Sequence, residues 1–99
     1  MKKMVVLAAL AVCCSGTAYA GMIESACLKS GRPGASRALC GCIQSVANRT
    51  LSANDQRLAA TFFQDPHQAQ VIRQSDRTAH EVFWQRYKVF GATAQNYCG

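Results

Sequence analysis

From Gly21 onward the apolar residues of this chain recur at intervals of three and four, the spacing of one face of an α-helix. Met22, Ile23, Ala26 and Cys27 share one side of a first helix, predicted over 22–29. Ser30-Gly31-Arg32-Pro33-Gly34 ends it, because two glycines and a proline in five residues enforce a turn. Ser36 is a fair N-cap for a second helix running to about Thr50. Its apolar stripe is Leu39, Ile43, Val46, Ala47 and Thr50. Ser52 followed by Asp55 resembles a capping box, with Asp in place of the usual Glu. It opens a third helix over 53–64, with Leu58, Ala59, Phe62 and Phe63 on its apolar side.

Asp65-Pro66 is the sharpest boundary. A residue before proline avoids the helical region, and proline is welcome at the first helical position. Asp65 reads as a cap, Pro66 as N1 and Gln68 as the capping-box partner. Beyond it Ile72, Ala79, Phe83, Phe90, Ala94 and Tyr97 stay on one face. That continuity favours one long helix with a bend over two helices at 66–74 and 76–97, the second capped by Ser75-Asp76. Gly91 loosens the last turns. Val, Ile and Thr are scattered rather than alternating with polar residues, so no strand is expected.

The first twenty residues have a different pattern. Lys2 and Lys3 precede an apolar run from Met4 to Val12, and Ala18-Tyr19-Ala20 is a small-x-small cleavage site. This is the layout of a signal peptide, predicting a cleaved segment 1–20 and one helical domain over 21–99. Leu10-Ala11-Val12-Cys13 faintly resembles a lipoprotein box, which the bulky Val12 disfavours. No later stretch approaches the roughly 20 apolar residues of a transmembrane helix. The expected location is the periplasm or the exterior.

Cleavage changes the chemistry of what remains. Cys13 and Cys14 leave, so the six cysteines become four: Cys27, Cys40, Cys42 and Cys98. A core below about 80 residues rarely supplies more than about 3–5 kcal/mol unaided. In an oxidising compartment the four cysteines read as two disulfides. Cys40 with Cys42 would be strained inside a helix. Two pairings stay open: Cys27–Cys40 with Cys42–Cys98, or Cys27–Cys42 with Cys40–Cys98. On the second helix, at 100° per residue, Cys40 lies about 60° to one side of the apolar stripe and Cys42 about 100° to the other. The expected fold class is therefore all-α, a small disulfide-stapled bundle of four to five helices. A redox-active Cys40-Gly41-Cys42 is the alternative, with Arg37 one turn away to favour a thiolate.

Removal of Lys2 and Lys3 leaves nine basic residues against five acidic, and seven of the nine are Arg. Arg suits bidentate contact with carboxylate or phosphate. Arg73, Arg77, His80, Glu81, Trp84 and Lys88 fall at spacings of three and four, on the side opposite Phe83 and Phe90. Trp84 among cations suits stacking, a lipid interface or a sugar ring. The competing placement buries it under the first helix or a loop. Arg73, Arg77, His80, Trp84 and Lys88 are the candidate partner-binding residues.

His67 and His80 have no converging ligands at helical spacing, so neither a metal nor a cofactor is expected. There is no Gly-x-Ser-x-Gly, no His-Glu-x-x-His and no recurrent carboxylate pair, so no enzyme is expected. Nucleic acid is not an expected partner in an exported compartment.

The run Phe62-Phe63-Gln64-Asp65-Pro66-His67-Gln68-Ala69-Gln70, then Arg73-Gln74-Ser75-Asp76, Phe83-Trp84-Gln85-Arg86-Tyr87 and a terminal Tyr97-Cys98, resembles a group of short exported alphaproteobacterial proteins. They carry a Cys-Gly-Cys upstream, as here. The likeness spans about Cys40 to Cys98. It implies an exported protein of no established activity. Some members carry the label arginine transporter, which implies an accessory role in amino-acid uptake. As a translocator this chain would lack a spanning segment, and as a two-domain solute clamp it is too short.

The leading expectation is thus a non-enzymatic, exported helical module. Its partner would be an anionic lipid, a cell-wall polymer or another envelope protein. The alternatives are a thiol-redox or chaperone-like protein using Cys40 and Cys42, and the uptake accessory.

Overall fold

The structure, a computed structural model, describes residues 21–99; the expected signal peptide and the lipoprotein-like box lie outside the described residues. Five helices follow in order: α1 (Met22–Lys29), α2 (Arg37–Thr50), α3 (Ala53–Gln64), α4 (His67–Arg73) and α5 (Thr78–Cys98). No strand occurs among the described residues, and the all-α class is confirmed.

Local chemistry sets most of the boundaries. The Ser36 hydroxyl accepts the Leu39 N–H at 3.1 Å, and the Ser52 hydroxyl accepts the Asp55 N–H at 3.2 Å. Such caps are worth about 1 kcal/mol each. Between α1 and α2, Gly31 takes the left-handed region at φ 72°, which glycine enters without steric cost. Asp65 accepts the His67 N–H at 3.2 Å. The Gln68 side chain donates to the second Asp65 oxygen at 3.4 Å, instead of accepting a backbone N–H as a capping box would have it.

The chain after Pro66 forms two helices and not the single bent helix that the apolar periodicity favours. The break runs from Gln74 to Arg77. Ser75 supplies the physical reason. Its hydroxyl accepts the Arg77 N–H at 3.2 Å and bonds to His80 Nδ1 at 2.7 Å. Local side-chain bonds of this kind compete with the helical ladder. Neither Ser75 nor Asp76 caps α5; Arg77 holds that position without a side-chain cap.

The break lets α4 fold back so that it touches both α3 and α5. α1 lies across α2 and α3, and α2 packs along α5. Ile23, Val46, Ala47, Leu51, Ala59, Phe62, Ile72, Phe83 and Phe90 form the contiguous core. Two residues depart from the apolar periodicity. Ala79 is exposed, and Tyr97 is 73% exposed. The last turn of α5 is anchored to α2 through Cys98, so a covalent bond and not the stripe orients it.

The inward face of α2 is also rotated from its apolar stripe. Cys40, Gln44, Val46 and Ala47 are buried, while Leu39, Ile43 and Thr50 are only partly so. Gln44 is buried because it is fully employed. Its Oε1 accepts the Glu24 N–H at 2.8 Å, and its Nε2 donates to Gln56 Oε1 at 2.8 Å and Asn48 Oδ1 at 2.9 Å. Gln56 in turn donates to the Leu51 carbonyl at 3.3 Å. No buried side-chain polar atom among the described residues lacks a partner. α1 has no side-chain cap of its own at Gly21, so the first turn of α1 is capped from a neighbouring helix. A Cβ at Gly21 would collide with the Gln44 carboxamide, which explains the glycine there.

The disulfides are Cys27–Cys40, with Cα atoms 5.6 Å apart, and Cys42–Cys98, at 5.8 Å. They span 13 and 56 residues of chain. On a loop-closure argument they contribute about 3 and about 4 kcal/mol.

A non-reduced peptide map is expected to return Cys27 with Cys40 and Cys42 with Cys98. In urea unfolding the C42S/C98S variant should lose about 4 kcal/mol and C27S/C40S about 3 kcal/mol. A larger loss from C27S/C40S would contradict loop closure as the source of the stabilisation.

Candidate functional site

Ile72, buried at the end of α4, places Arg73 on the outer side beside the first turns of α5. The result is a cleft of about 400 Å³ lined by Arg73, Ser75, Glu81, Val82, Trp84 and Gln85. Of the residues that helical spacing put on one face, Arg73, Glu81 and Trp84 come together here. His80 lies behind the cleft, tied to Ser75 by the 2.7 Å bond. Arg77 and Lys88 are exposed and do not line it.

Trp84 is half-buried against the edge of the core. Its ring leans on Tyr87 at 5.1 Å between centroids, tilted by 31°. Tyr87 in turn touches Phe62, Phe83 and Phe90 at 5.1–5.7 Å. An aromatic spine therefore holds the indole, each such pair being worth about 0.5–1.5 kcal/mol beyond area burial. The one cation over a ring among the described residues is Arg32, 5.6 Å from the centroid of Phe63, and it is not at Trp84.

The electrostatics are lopsided. The single ion pair among the described residues joins Arg86 to Asp55, bidentate at 2.6 and 2.9 Å. Arg73, Arg77 and Lys88 are exposed and outside it. Asp55 is buried, and the Arg86 hydrogen bonds hold its carboxyl below the ordinary 3.8. Burial opposes this shift, while the Arg86 charge and Ser52 reinforce it. Sequence reading missed this pair, since it assigned Asp55 to a capping box. The signal available was the Asp in place of the longer Glu.

Cys40 has no exposed surface and Cys27 is 4% exposed, while Cys42 and Cys98 are partly exposed. Each sulfur of the Cys-Gly-Cys is bonded to a cysteine outside the motif. Among the described residues no three His, Cys, Asp or Glu converge as a metal site, and His67 is exposed. No helix among them is long and apolar enough to cross a membrane. No known family, curated protein or solved structure matches the chain.

The lowered pKa of Asp55 has a definite sign. A carboxylate held lower in the folded state stabilises above its unfolded pKa and loses that contribution as pH falls through the folded value. Wild type should thus exceed D55N in denaturation midpoint at pH 6. The gap should narrow progressively once the pH drops below 3.8. A gap independent of pH would show that the ion pair is not its source.

Proposed function

We propose that this protein is an exported, non-enzymatic helical module that binds an anionic component of the cell envelope at the α4–α5 cleft. The observation that carries the reading is the cleft itself, where an exposed Arg73, in no ion pair among the described residues, stands beside a half-buried indole. The Arg fork suits phosphate or carboxylate oxygens. The indole supplies an apolar face with a polar edge, the combination that suits a wet boundary. Arg77, in the break before α5, and Lys88, one helical turn beyond Trp84, are exposed cations that add to the positive field of this stretch, which steers an anion from a distance at low salt. The disulfides suit an oxidising compartment, as does the likeness to short exported proteins.

The other readings have less behind them. A thiol-redox or chaperone-like use of Cys40 and Cys42 would have to begin at the partly exposed Cys42–Cys98 bond, since Cys40 is enclosed. An accessory role in arginine uptake has only the sequence likeness in its favour.

Trp84 is the only tryptophan, so its fluorescence reports on the cleft directly. Titration with vesicles of anionic lipid, and separately with cell-wall fragments, is expected to shift the emission at low salt with one of them. The shift should vanish as salt rises. Each basic residue near an anionic surface contributes about 1 kcal/mol, so R73Q should weaken binding about five-fold. No shift with either probe at low salt removes the proposal.

A further inference from the structure

A second place on the molecule has the features of a ligand site, and it shares no lining residue with the Trp84 cleft. Two hollows have two lining residues in common. The first, about 230 Å³, lies between Phe62, Phe63, Pro66, Ala69 and Tyr87. The second, about 270 Å³, lies under the α1–α2 loop, walled by Ala35, Leu39, Ile43 and the buried Cys27. Arg32 and Phe63 line both.

The second hollow is mostly apolar, the first is mixed, and the only charged residue on either is Arg32. The loop that begins at the left-handed Gly31 returns Arg32 across α3, with its guanidinium 5.6 Å from the centre of the Phe63 ring. Arg32 is exposed and takes part in no ion pair among the described residues. Tyr87 stands on the same wall, and its hydroxyl makes no hydrogen bond among the described residues. Burial pushes that hydroxyl's pKa up, and the nearby Arg32 charge opposes the shift. A phenol and a guanidinium therefore line the first hollow together, with the Phe63 ring beside the cation.

We propose that this groove binds a single-chain carboxylic acid, with its carboxylate on Arg32 and its chain along Phe63 toward Leu39 and Ile43. The chemistry selects that class. A guanidinium pairs bidentately with a carboxylate. A phosphate dianion would call for a second cation, and neither hollow has one. A quaternary amine is repelled by Arg32, and a short acid leaves the apolar wall uncovered. The site is independent of the reading of the Trp84 cleft.

Calorimetry on the disulfide-bonded protein decides the matter, with decanoate and decyltrimethylammonium below their micellar concentrations, decanol below its solubility limit, and butyrate. Decanoate is expected to bind one to one, and decanol at least ten-fold more weakly. Butyrate and decyltrimethylammonium should give no saturable heat. Arg32→Gln should weaken decanoate at least ten-fold and leave decanol unchanged, while Arg32→Lys, which keeps the charge but not the fork, should fall between Arg32→Gln and wild type. Tyr87→Phe should weaken decanoate by a few-fold. Circular dichroism confirms that each variant is folded, and Arg32 in an exposed loop gives no reason for it to fail. The proposal is overturned by equal binding of decanoate and decyltrimethylammonium, by an Arg32→Gln affinity equal to wild type, or by no decanoate binding.

Discussion

Both the first and the last helix of this bundle are tied to α2 by sulfurs two residues apart. Residues two apart on a helix point about 200° from one another, so Cys40 and Cys42 cannot serve the same neighbour. Cys40 holds α1, and Cys42 holds the last turn of α5. The N-terminal and C-terminal helices are thereby fixed on different sides of one central helix. A core of nine contiguous buried side chains is small, and the two staples add to its stability. The same arrangement explains Tyr97. Its neighbour Cys98 is held to α2, and the tyrosine is left facing water.

The second organising feature is polar. Gln44, Gln56 and Asn48 form a closed network between α2 and α3, and Gln44 reaches on to cap α1. A buried amide that is fully bonded costs little, whereas a half-satisfied one costs about 1–3 kcal/mol. Such a network therefore permits very few relative positions of the three helices. Gly21 belongs to it by omission, as the residue whose missing side chain makes room for the carboxamide. The Asp55–Arg86 pair does the corresponding work between α3 and α5.

α5 is the element on which the two surface features converge. It presents Trp84 to the cleft beside Arg73 and Tyr87 to the groove beside Arg32, and the two rings lean on one another at 5.1 Å. Both features pair an aromatic wall with an Arg that has no carboxylate partner among the described residues. They differ in what surrounds that Arg. The cleft is polar-edged and carries Glu81 and Gln85, while the groove has no charged residue besides its Arg.

The helices of this protein were legible in the chain because their signals are local. Serine caps, the Asp-Pro boundary, a glycine-rich turn and a three-to-four spacing each act within a few residues. Helical spacing also put Arg73 and Trp84 on one face, and the cleft holds them both. Three matters lay beyond it. The break after Arg73 turns on Ser75 bonding to Arg77 and His80, a local choice that apolar periodicity does not register. The burial of Gln44, Gln56 and Asp55 depends on partners 12 to 31 residues away, and composition alone reads all three as surface residues. The disulfide pairing depends on which helix each flank of α2 meets. By itself the sequence determined the class of fold, four of its helix starts and the need for covalent help. Only the tertiary structure decided how those helices face one another, because burial and pairing are properties of neighbours in space and not of neighbours in the chain.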